Sequence, residues 1–560
     1  MAGAAGVVQL PAAAIVVALP TIHAEFGVSI AALQWTVTAF YIPESACLIA
    51  AGRLADTFGR RRLLVIGAVL FAIGSLLAVV STGVVMLIAG IAITGLGGAV
   101  LMPASLSIIT DVFTGGSRGF AVGIWGAATE VVSGAGVLLG GVLTGALSWR
   151  WIFVLSLVVS MVVALLALRW TPESRDPDAA REIDVSGVML SITGLTAITL
   201  ALVQGAQWGW GSPAVVGLVV AFVILAVAFL INERRSTAPI VDFSFFRRRN
   251  FAGATATIFV IDFAFGAMLF FLPIYLQEVL DYSPIGTGVL LLPMTGLMVL
   301  GSPIGGQLTQ RVGPRPPILG GLSLLAIGVI WVSTLSTATT YADLWLPTSL
   351  IGLGIGIALT PMNLAAMNAV EPRHTGAAAG LLLTLSGLGV SFGVAITGAI
   401  FQNLQTSRTV DLVDATGTSI TRDQAEQLDG LLAGSDNAQQ ALNQIAPNDQ
   451  AAVTDAVEEA FVSALGTSLL ISGLLVVAGA ILAGVLIRNH KPEQNPEDLH
   501  PVGSIIPRPA PRIGRTPLLA RSGTSNRALP PNGADNSTVF VSARWNHRAA
   551  GVRRWIASSG

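Results

Sequence analysis

Fourteen apolar runs, most of them about as long as the roughly 20 residues that cross a bilayer, succeed one another between Ala2 and Ile487. Bare backbone polar groups are not tolerated in lipid, so runs of this length are predicted to be helices. They are Ala2–Ile22, Leu33–Ala51, Leu63–Val80, Val84–Ile109, Phe120–Leu147, Trp151–Leu168 and Val185–Val203, followed by Ala214–Ile231, Phe251–Leu272, Ile285–Ile304, Ile318–Leu335, Leu344–Ala366, Gly376–Ile400 and Val462–Ile487. The first lacks a basic leader and a small-residue cleavage signal, so it reads as a span and not as a signal peptide. Charged residues make up 11 % of the 560, against about 25 % in a water-soluble chain.

The residual charge excludes several classes. A net charge of −1, with basic residues confined to short loops and a tail, offers nucleic acid no basic face. Cys47 is the sole cysteine, so no disulfide forms within the chain and no thiol metal site can be built. The sequence holds no phosphate-binding loop, metal-ligand cluster or nucleophile–base pair. No metal, no cofactor and no enzyme activity are therefore expected. One lysine, Lys491, against an abundance of arginine, alanine and glycine points to a GC-rich bacterial genome.

Orientation follows from the arginines. With the loop Gly52–Arg62 placed inside, only Arg150, Arg408 and Arg422 of the 30 basic residues fall outside, and both termini are cytoplasmic. Residues 402–460 then form a long external loop with ten acids against two arginines. It shows some helical periodicity near Asp449–Glu459. Residues 488–560, rich in Pro, Arg, Gly and Ser, read as a disordered basic tail, either simply solvated or resting on anionic lipid.

The chain is internally duplicated. GRLADTFGRRR at Gly52–Arg62 returns as GQLTQRVGPRP at Gly306–Pro316, with Gly52/Gly306, Leu54/Leu308, Gly59/Gly313 and Arg61/Arg315 at an offset of 254. Gly119, Gly123, Gly136 and Gly141 recur as Gly376, Gly380, Gly393 and Gly398 at an offset of 257. Spans one to six thus correspond to spans nine to fourteen, and spans seven and eight are an insertion. The expected domains are residues 1–170, one six-helix half; 171–250, an inserted two-helix hairpin; and 251–487, the second half. Duplicated halves with small residues at helical spacing suit a bundle whose halves rock about a midplane site.

These motifs resemble those of the major facilitator superfamily, in its fourteen-spanner drug:proton antiporter branch. The resemblance covers about Val17 to Ile487. Besides the basic loop it rests on ALPTI at Ala18–Ile22, QWTVTAFY at Gln34–Tyr41, GLGGAVLMPASL at Gly95–Leu106 and WRWIF at Trp149–Phe153. FRRRNF at Phe246–Phe251 and LPIYLQEVLDYSP at Leu272–Pro284 complete the set, in the family's order. It implies an all-α membrane fold of two six-helix halves with an inserted hairpin. It also implies Gly136, Gly140 and Gly141 as antiporter-motif glycines, and a gating loop of Gly52, Arg53, Asp56, Gly59, Arg60 and Arg61. The chain departs from the family's pattern where the usual span-one Asp is Pro11, the span-four Arg and Gln are Ile91 and Thr94, and the span-five Pro is Val137.

Three acids lie inside predicted spans instead: Glu44, Glu130 and Asp262. A charge at the bilayer centre costs about 2.5–3.5 kcal/mol or more, so each needs a reason. One reason is proton coupling; the other is a neutral carboxyl hydrogen-bonded in a tight interface. Gln34, Trp35, Phe40, Tyr41, Trp125, Phe270 and Tyr275 are candidates to line a cavity for planar cations, although aromatic residues near span ends also serve as interfacial anchors. His23 and His374 read as ordinary loop residues. The expected function is proton-motive-force-driven export of small amphipathic or cationic compounds, by a monomer in a bacterial inner membrane. A lipid or metabolite exporter with degenerate coupling, and a non-transporting membrane sensor, are the alternatives.

Overall fold

The computed structural model describes residues 2–489 except 113–115, 172, 175–183, 237–242, 371–374, 418, 429–430, 433–435 and 448, and within helices it leaves some side chains undescribed, those of Arg53, Asp56 and Glu130 among them. The tail expected from residue 488, like His374, lies outside the described residues from 490 onward. The described chain is helical, without a strand. The first half comprises α1 (Ala2–Phe26), α2 (Ile30–Phe58), α3 (Arg60–Val79), α4 (Val84–Val112), α5 (Gly116–Ala146) and α6 (Arg150–Trp170). The inserted pair is α7 (Val185–Trp208) and α8 (Pro213–Arg235). The second half runs through α9 (Arg249–Ile274), α10 (Pro284–Leu290), α11 (Leu292–Val312), α12 (Arg315–Val332), α13 (Tyr341–Met367) and α14 (Thr375–Ala415). After α15 (Arg422–Gln427) and α16 (Asp436–Asn443), α17 (Gln450–Leu486) closes the bundle.

Among the described residues, 12 helical segments are long and apolar enough to cross a membrane, α10 and α11 counting as one. The two other expected spans are α2 and α5, which are 29 and 31 residues long. In α2, Glu44, Arg53 and Asp56 lower the hydropathy, and in α5 the stretch Val131–Ala146 is apolar. Among the described residues fourteen helices are thus 18 residues long or longer, and twelve segments contain a window apolar enough to span.

The duplication seen in the sequence is a duplication of contacts. Gly59 and Gly313 both have positive φ, 117° and 87°, and both reverse the chain between adjacent helices. A residue with a Cβ is strained in that region, so glycine persists in both copies. Gly95 of α4 lies so close to the Phe40 carbonyl of α2 that a Cβ would collide with it, and Gly352 of α13 stands in the same relation to Met294 of α11. Gly95 and Gly352 are 257 apart, Phe40 and Met294 254 apart, the offsets already met.

The inserted hairpin sits on the seam between the halves. Val203 of α7 packs with Ala31 of α2 and Ala395 of α14, flanked by Trp35 and Leu202. In α8 only 6 % of the most apolar stretch is buried inside the protein, as suits a helix facing lipid on nearly all sides. Asp184 ties the pair together: it accepts from the Gly187 amide at 2.7 Å and from Asn232 Nδ2 at 2.5 Å. Burial pushes its carboxyl up, but the bonds from Gly187, Ser186, Ser236 and Asn232 together outweigh it and hold the group below the ordinary range. The cap therefore stands at neutral pH and fades only in strong acid, as pH falls through the folded value. Asp184→Ala is expected to lower stability by about 1 kcal/mol, read as a lower Tm of the solubilised protein.

Residues 402–460 are not an unstructured loop. The helix α14 runs on to Ala415, and with α15, α16 and the start of α17 it encloses a separate small core of Val413, Ile420, Leu428, Leu431, Leu442 and Val457.

Candidate functional site

The bundle has a basic end, carrying Gly52–Arg62, and an opposite, acidic end, carrying the cap after α14. Midway between them three helices bring polar groups together. From α2 come Tyr41, the 8 %-exposed Glu44 and Ser45; from α9 comes Asp262; from α14 come Thr384, Gly387 and Gly389. Thr384 Oγ1 donates to the Ser45 carbonyl at 3.2 Å, joining the two halves. Close approach is possible because α14 lacks side chains there. A Cβ on Gly387 would strike Ser45 Oγ, and one on Gly389 would lie 3.0 Å from Asp262 Cβ. Behind α2, Gly98 of α4 makes room for the Glu44 carboxyl, whose Oε1 is 3.6 Å from where its Cβ would be. The α2 stretch that carries Glu44 and the α9 stretch that carries Asp262, one from each half, thus meet the same turn of α14, Tyr41 and Ser45 at Gly387 and Asp262 at Gly389. In a low-dielectric interior such acids can take up a proton or a cation in place of one another.

The positions of the family pattern also meet. Pro11, Ile91 and Thr94 line one gap of about 10 Å³ together with Phe40 and Tyr41, at the lower limit for a single water. Thr94 Oγ1 spends its proton on the Gly90 carbonyl of its own helix, at 2.9 Å. An apolar plug fills this place, and Glu44, one turn along α2 from Tyr41, is the acid on that helix next to it.

The aromatic and amide candidates are placed unevenly. Phe40 and Tyr41 stand edge to face, 5.2 Å apart, beside the acids. Trp35 packs on the α7 seam. Gln34 is fully buried at the acidic end of α2, against Gly398 of α14, and makes no hydrogen bond among the described residues. Trp125 Nε1 donates to Ser105 Oγ at 3.1 Å, which pins α5 to α4. Phe270 and Tyr275 are fully buried inside the second half. Phe270 stacks on Phe271 at 4.9 Å, and the Tyr275 hydroxyl donates to the Ser336 carbonyl at 2.8 Å. The Tyr275 bond ties the end of α9 to the turn that follows α12. The Glu130 side chain lies outside the described residues.

At the basic end, Arg60 Nη1 meets Asp111 Oδ1 at 3.0 Å, and Arg61 and Arg62 reach Glu173 Oε2 at 3.7 and 3.6 Å. These contacts join α3, α4 and the segment just after α6. The side chains of Arg53 and Asp56 lie outside the described residues; Gly52 packs on Pro103. In the second copy the place of Glu173, three residues past α6, is taken by Asn489, three past α17, whose Nδ2 donates to the Val312 carbonyl at 2.8 Å. An ionic tie in one half is a neutral amide tie in the other.

The acidic end is where the halves close on each other. In α5, Gly136 and Gly140 face α1, where a Cβ on Gly140 would collide with the Ala14 carbonyl. Gly141 faces the other half, its missing Cβ 2.5 Å from the Pro284 carbonyl of α10. Gly393 and Gly398 of α14 repeat the arrangement against Phe263 of α9 and Gln34 of α2. Gln277 Nε2 donates to the Val17 carbonyl of α1 at 2.8 Å. His23, expected in a loop, is instead the buried last turn of α1, and its Nδ1 lies 2.9 Å from Glu278 Oε1. No single-residue signal revealed this pair. It could have been suspected from a histidine and a glutamate ending the two corresponding spans one and nine.

The sequence profile described as Major Facilitator Superfamily matches residues 1–394. Puromycin resistance protein pur8 of Streptomyces alboniger is 36 % identical over 389 residues, 69 % of this chain and 77 % of that protein. Multidrug resistance protein Stp of Mycobacterium tuberculosis is 33 % identical over 385 residues, 69 % and 71 % of the two chains. The tetracenomycin C resistance and export protein of Streptomyces glaucescens is 27 % identical over 502 residues, 88 % and 92 %. Among solved structures, a bacterial homologue of the human lysosomal transporter Spinster, inward-facing and unoccupied, superposes with a TM-score of 0.59 at 17 % identity, covering 86 % of this chain and 94 % of that one. At that identity the likeness speaks for the fold alone.

Proposed function

The chain belongs to the major facilitator superfamily, and on that premise we propose that it exports small amphipathic, drug-like compounds, cations among them, across a bacterial plasma membrane in exchange for protons. The observation that carries the reading is that the α2 stretch bearing Glu44 and the α9 stretch bearing Asp262, one from each half, pack on the same turn of α14 at Gly387 and Gly389. The roles of the relatives, resistance and export, support the substrate class. The basic end is cytoplasmic and the acidic end external, in keeping with the positive-inside rule. Closed at its acidic end, the bundle is the state that takes substrate from the inside. An arriving cation displaces the proton at the acids, the halves rock, and protons from outside displace the cation; the two ligands compete for one site. About 2.3 kcal/mol is available per charge per 100 mV, roughly a fortyfold gradient for each proton exchanged. The protein acts as a monomer, with lipid and its substrate as partners and no nucleic acid.

Cells producing the chain are expected to extrude ethidium, and a protonophore to abolish the gradient; export that ignores the protonophore overturns proton exchange. The apolar plug at Pro11, Ile91 and Thr94 favours one second reading, a lipid or metabolite exporter whose coupling has degenerated. Drug-stimulated proton flux in liposomes separates the two, since only the first reading expects it.

A further inference from the structure

We infer that the basic rim of the second half, where α17 ends between α9 and α12, is a binding site for an anionic phospholipid. Arg247, Arg249, Arg311, Arg315 and Arg488 surround its phosphate, and its acyl chains lie on the lipid-facing side of α17. Three segments of the chain bring these arginines to one place. Glycines seat α17 between its neighbours: Gly479 leaves room for Val260 of α9, and Gly473 for Ile330 of α12. Past its end the chain is fastened on both sides. The Arg488 amide donates to Asn250 Oδ1 at 2.8 Å, and Asn489 Nδ2 donates to the Val312 carbonyl at 2.8 Å. Asn250 follows Arg249, the first residue of α9, and Val312 stands between Arg311 of α11 and Arg315, the first residue of α12. All five arginines are exposed. Packed helix axes are about 8–10 Å apart, so a phosphate standing over the end of α17 has arginines on either flank.

The rim has no counter-charge of its own among the described residues. In the first half, Asp111 and Glu173 take up Arg60, Arg61 and Arg62. In the second half, none of the five arginine side chains carries an ion pair or a hydrogen bond among the described residues. The turns of α9, α11, α12, α13, α14 and α17 at this end hold no acid, and Asp242, Glu371 and Glu493 lie outside the described residues. Arg248 is engaged elsewhere, its Nη1 donating to the Ala369 carbonyl at 2.7 Å. Both α9 and α12 begin here with no acid in the first turn, so the positive ends of two helices add to the arginines. Guanidinium groups at this density suit phosphate, whose oxygens they meet through paired N–H donors.

Apolar surface beside the arginines selects a lipid over a free anion. In the last turns of α17, before Arg488, Ile481 and Val485 are 64 % and 71 % exposed and one helical turn apart, an apolar wall for acyl chains. In the short turn Phe243–Arg247, Phe243 and Phe246 are exposed next to Arg247 and Arg249, as rings at a membrane interface are. Phosphate-binding groups over an apolar wall reproduce the layering of a phospholipid at the edge of the hydrocarbon. The cytoplasmic leaflet supplies this lipid if the orientation proposed above holds; the binding itself does not depend on it.

The full chain, purified in a neutral detergent, is titrated with phosphatidylglycerol or phosphatidylcholine, and bound lipid is counted by native mass spectrometry. Phosphatidylglycerol is expected to bind about 25-fold tighter than phosphatidylcholine or better, the equivalent of two arginines at about fivefold each. Arg311→Gln/Arg315→Gln and Arg247→Gln/Arg249→Gln should each lose about 25-fold in affinity for phosphatidylglycerol and little for phosphatidylcholine. Arg234→Gln/Arg235→Gln, at the exposed end of α8, should change either affinity by less than about twofold, because α8 stands apart from the rim. The Tm without lipid should be the same in all three variants, since these side chains make no bond among the described residues. Equal affinity of the parent for the two lipids overturns the inference and points to the chain's own acids as the counter-charge. An equal loss in the α8 variant overturns it in favour of a diffuse positive surface. Displacement of phosphatidylglycerol by an equal concentration of inorganic phosphate would make the ligand a free anion and overturn the lipid. No transport enters the measurement, so a failure of proton-driven export would not be mistaken for a failure of this site.

Discussion

Asp262→Asn is expected to abolish uphill export while leaving movement down a gradient. The asparagine keeps the size and hydrogen bonding of the side chain but can neither ionise for a cation nor give it up for a proton. A steady-state gradient of about fortyfold per proton should collapse toward unity, with abundance in the membrane unchanged. Counterflow of labelled substrate in vesicles separates the two modes. Glu44→Gln, on the opposite half, should weaken transport less uniformly, because Gly98 and α4 back it on one side. Uphill, protonophore-sensitive export by Asp262→Asn would remove Asp262 from the coupling mechanism.

Gly141→Val is the second large effect expected. Its Cβ would stand 2.5 Å from the Pro284 carbonyl and 3.2 Å from Gly288, on the other half. Crowding of this kind costs about 1–3 kcal/mol, and here the cost falls only on the state whose acidic end is closed. The equilibrium between closed and open should move about 5- to 150-fold toward the open form. Export should fall steeply, and sites at the external seam should react faster with impermeant thiol reagents. Gly136→Val crowds Ala13 and Leu10 of its own half instead and should act chiefly on stability. Equal loss of closure in both variants would show that the seam glycine has no state-specific role.

Much of this was legible in the sequence, because lipid leaves the backbone few options. Apolar length marked the helices, and glycines at fixed offsets marked the two-fold repeat, whose contacts only the folded chain displays. Less legible were features that depend on which helices meet. That Pro11, Ile91 and Thr94 share one gap, and that the α2 and α9 stretches bearing Glu44 and Asp262 pack on one turn of α14, cannot be read from spacing, since their helices are far apart in sequence. The full burial of Phe270 and Tyr275 could not be foreseen either, because an aromatic ring serves a core and a cavity equally well. His23 looked like a loop residue because an isolated histidine at a span end carries no periodicity. The residues 402–460 looked like a loop because their polar composition hides a core of widely spaced leucines and valines.

The length of α14 has a mechanical consequence. Its 41 residues make a rod of roughly 62 Å, twice the approximately 30 Å of hydrocarbon it crosses. The rod is continuous from the glycines that seat it against α2 and α9 to the small core at its far tip. Any tilt of the second half is therefore transmitted to that tip without a joint to absorb it. A rotation on the order of 15° about a midplane pivot would sweep the tip by about 8 Å over 30 Å of arm. The cap is thus a pointer fixed to the moving half, reading out in the external water a rearrangement that takes place inside the membrane.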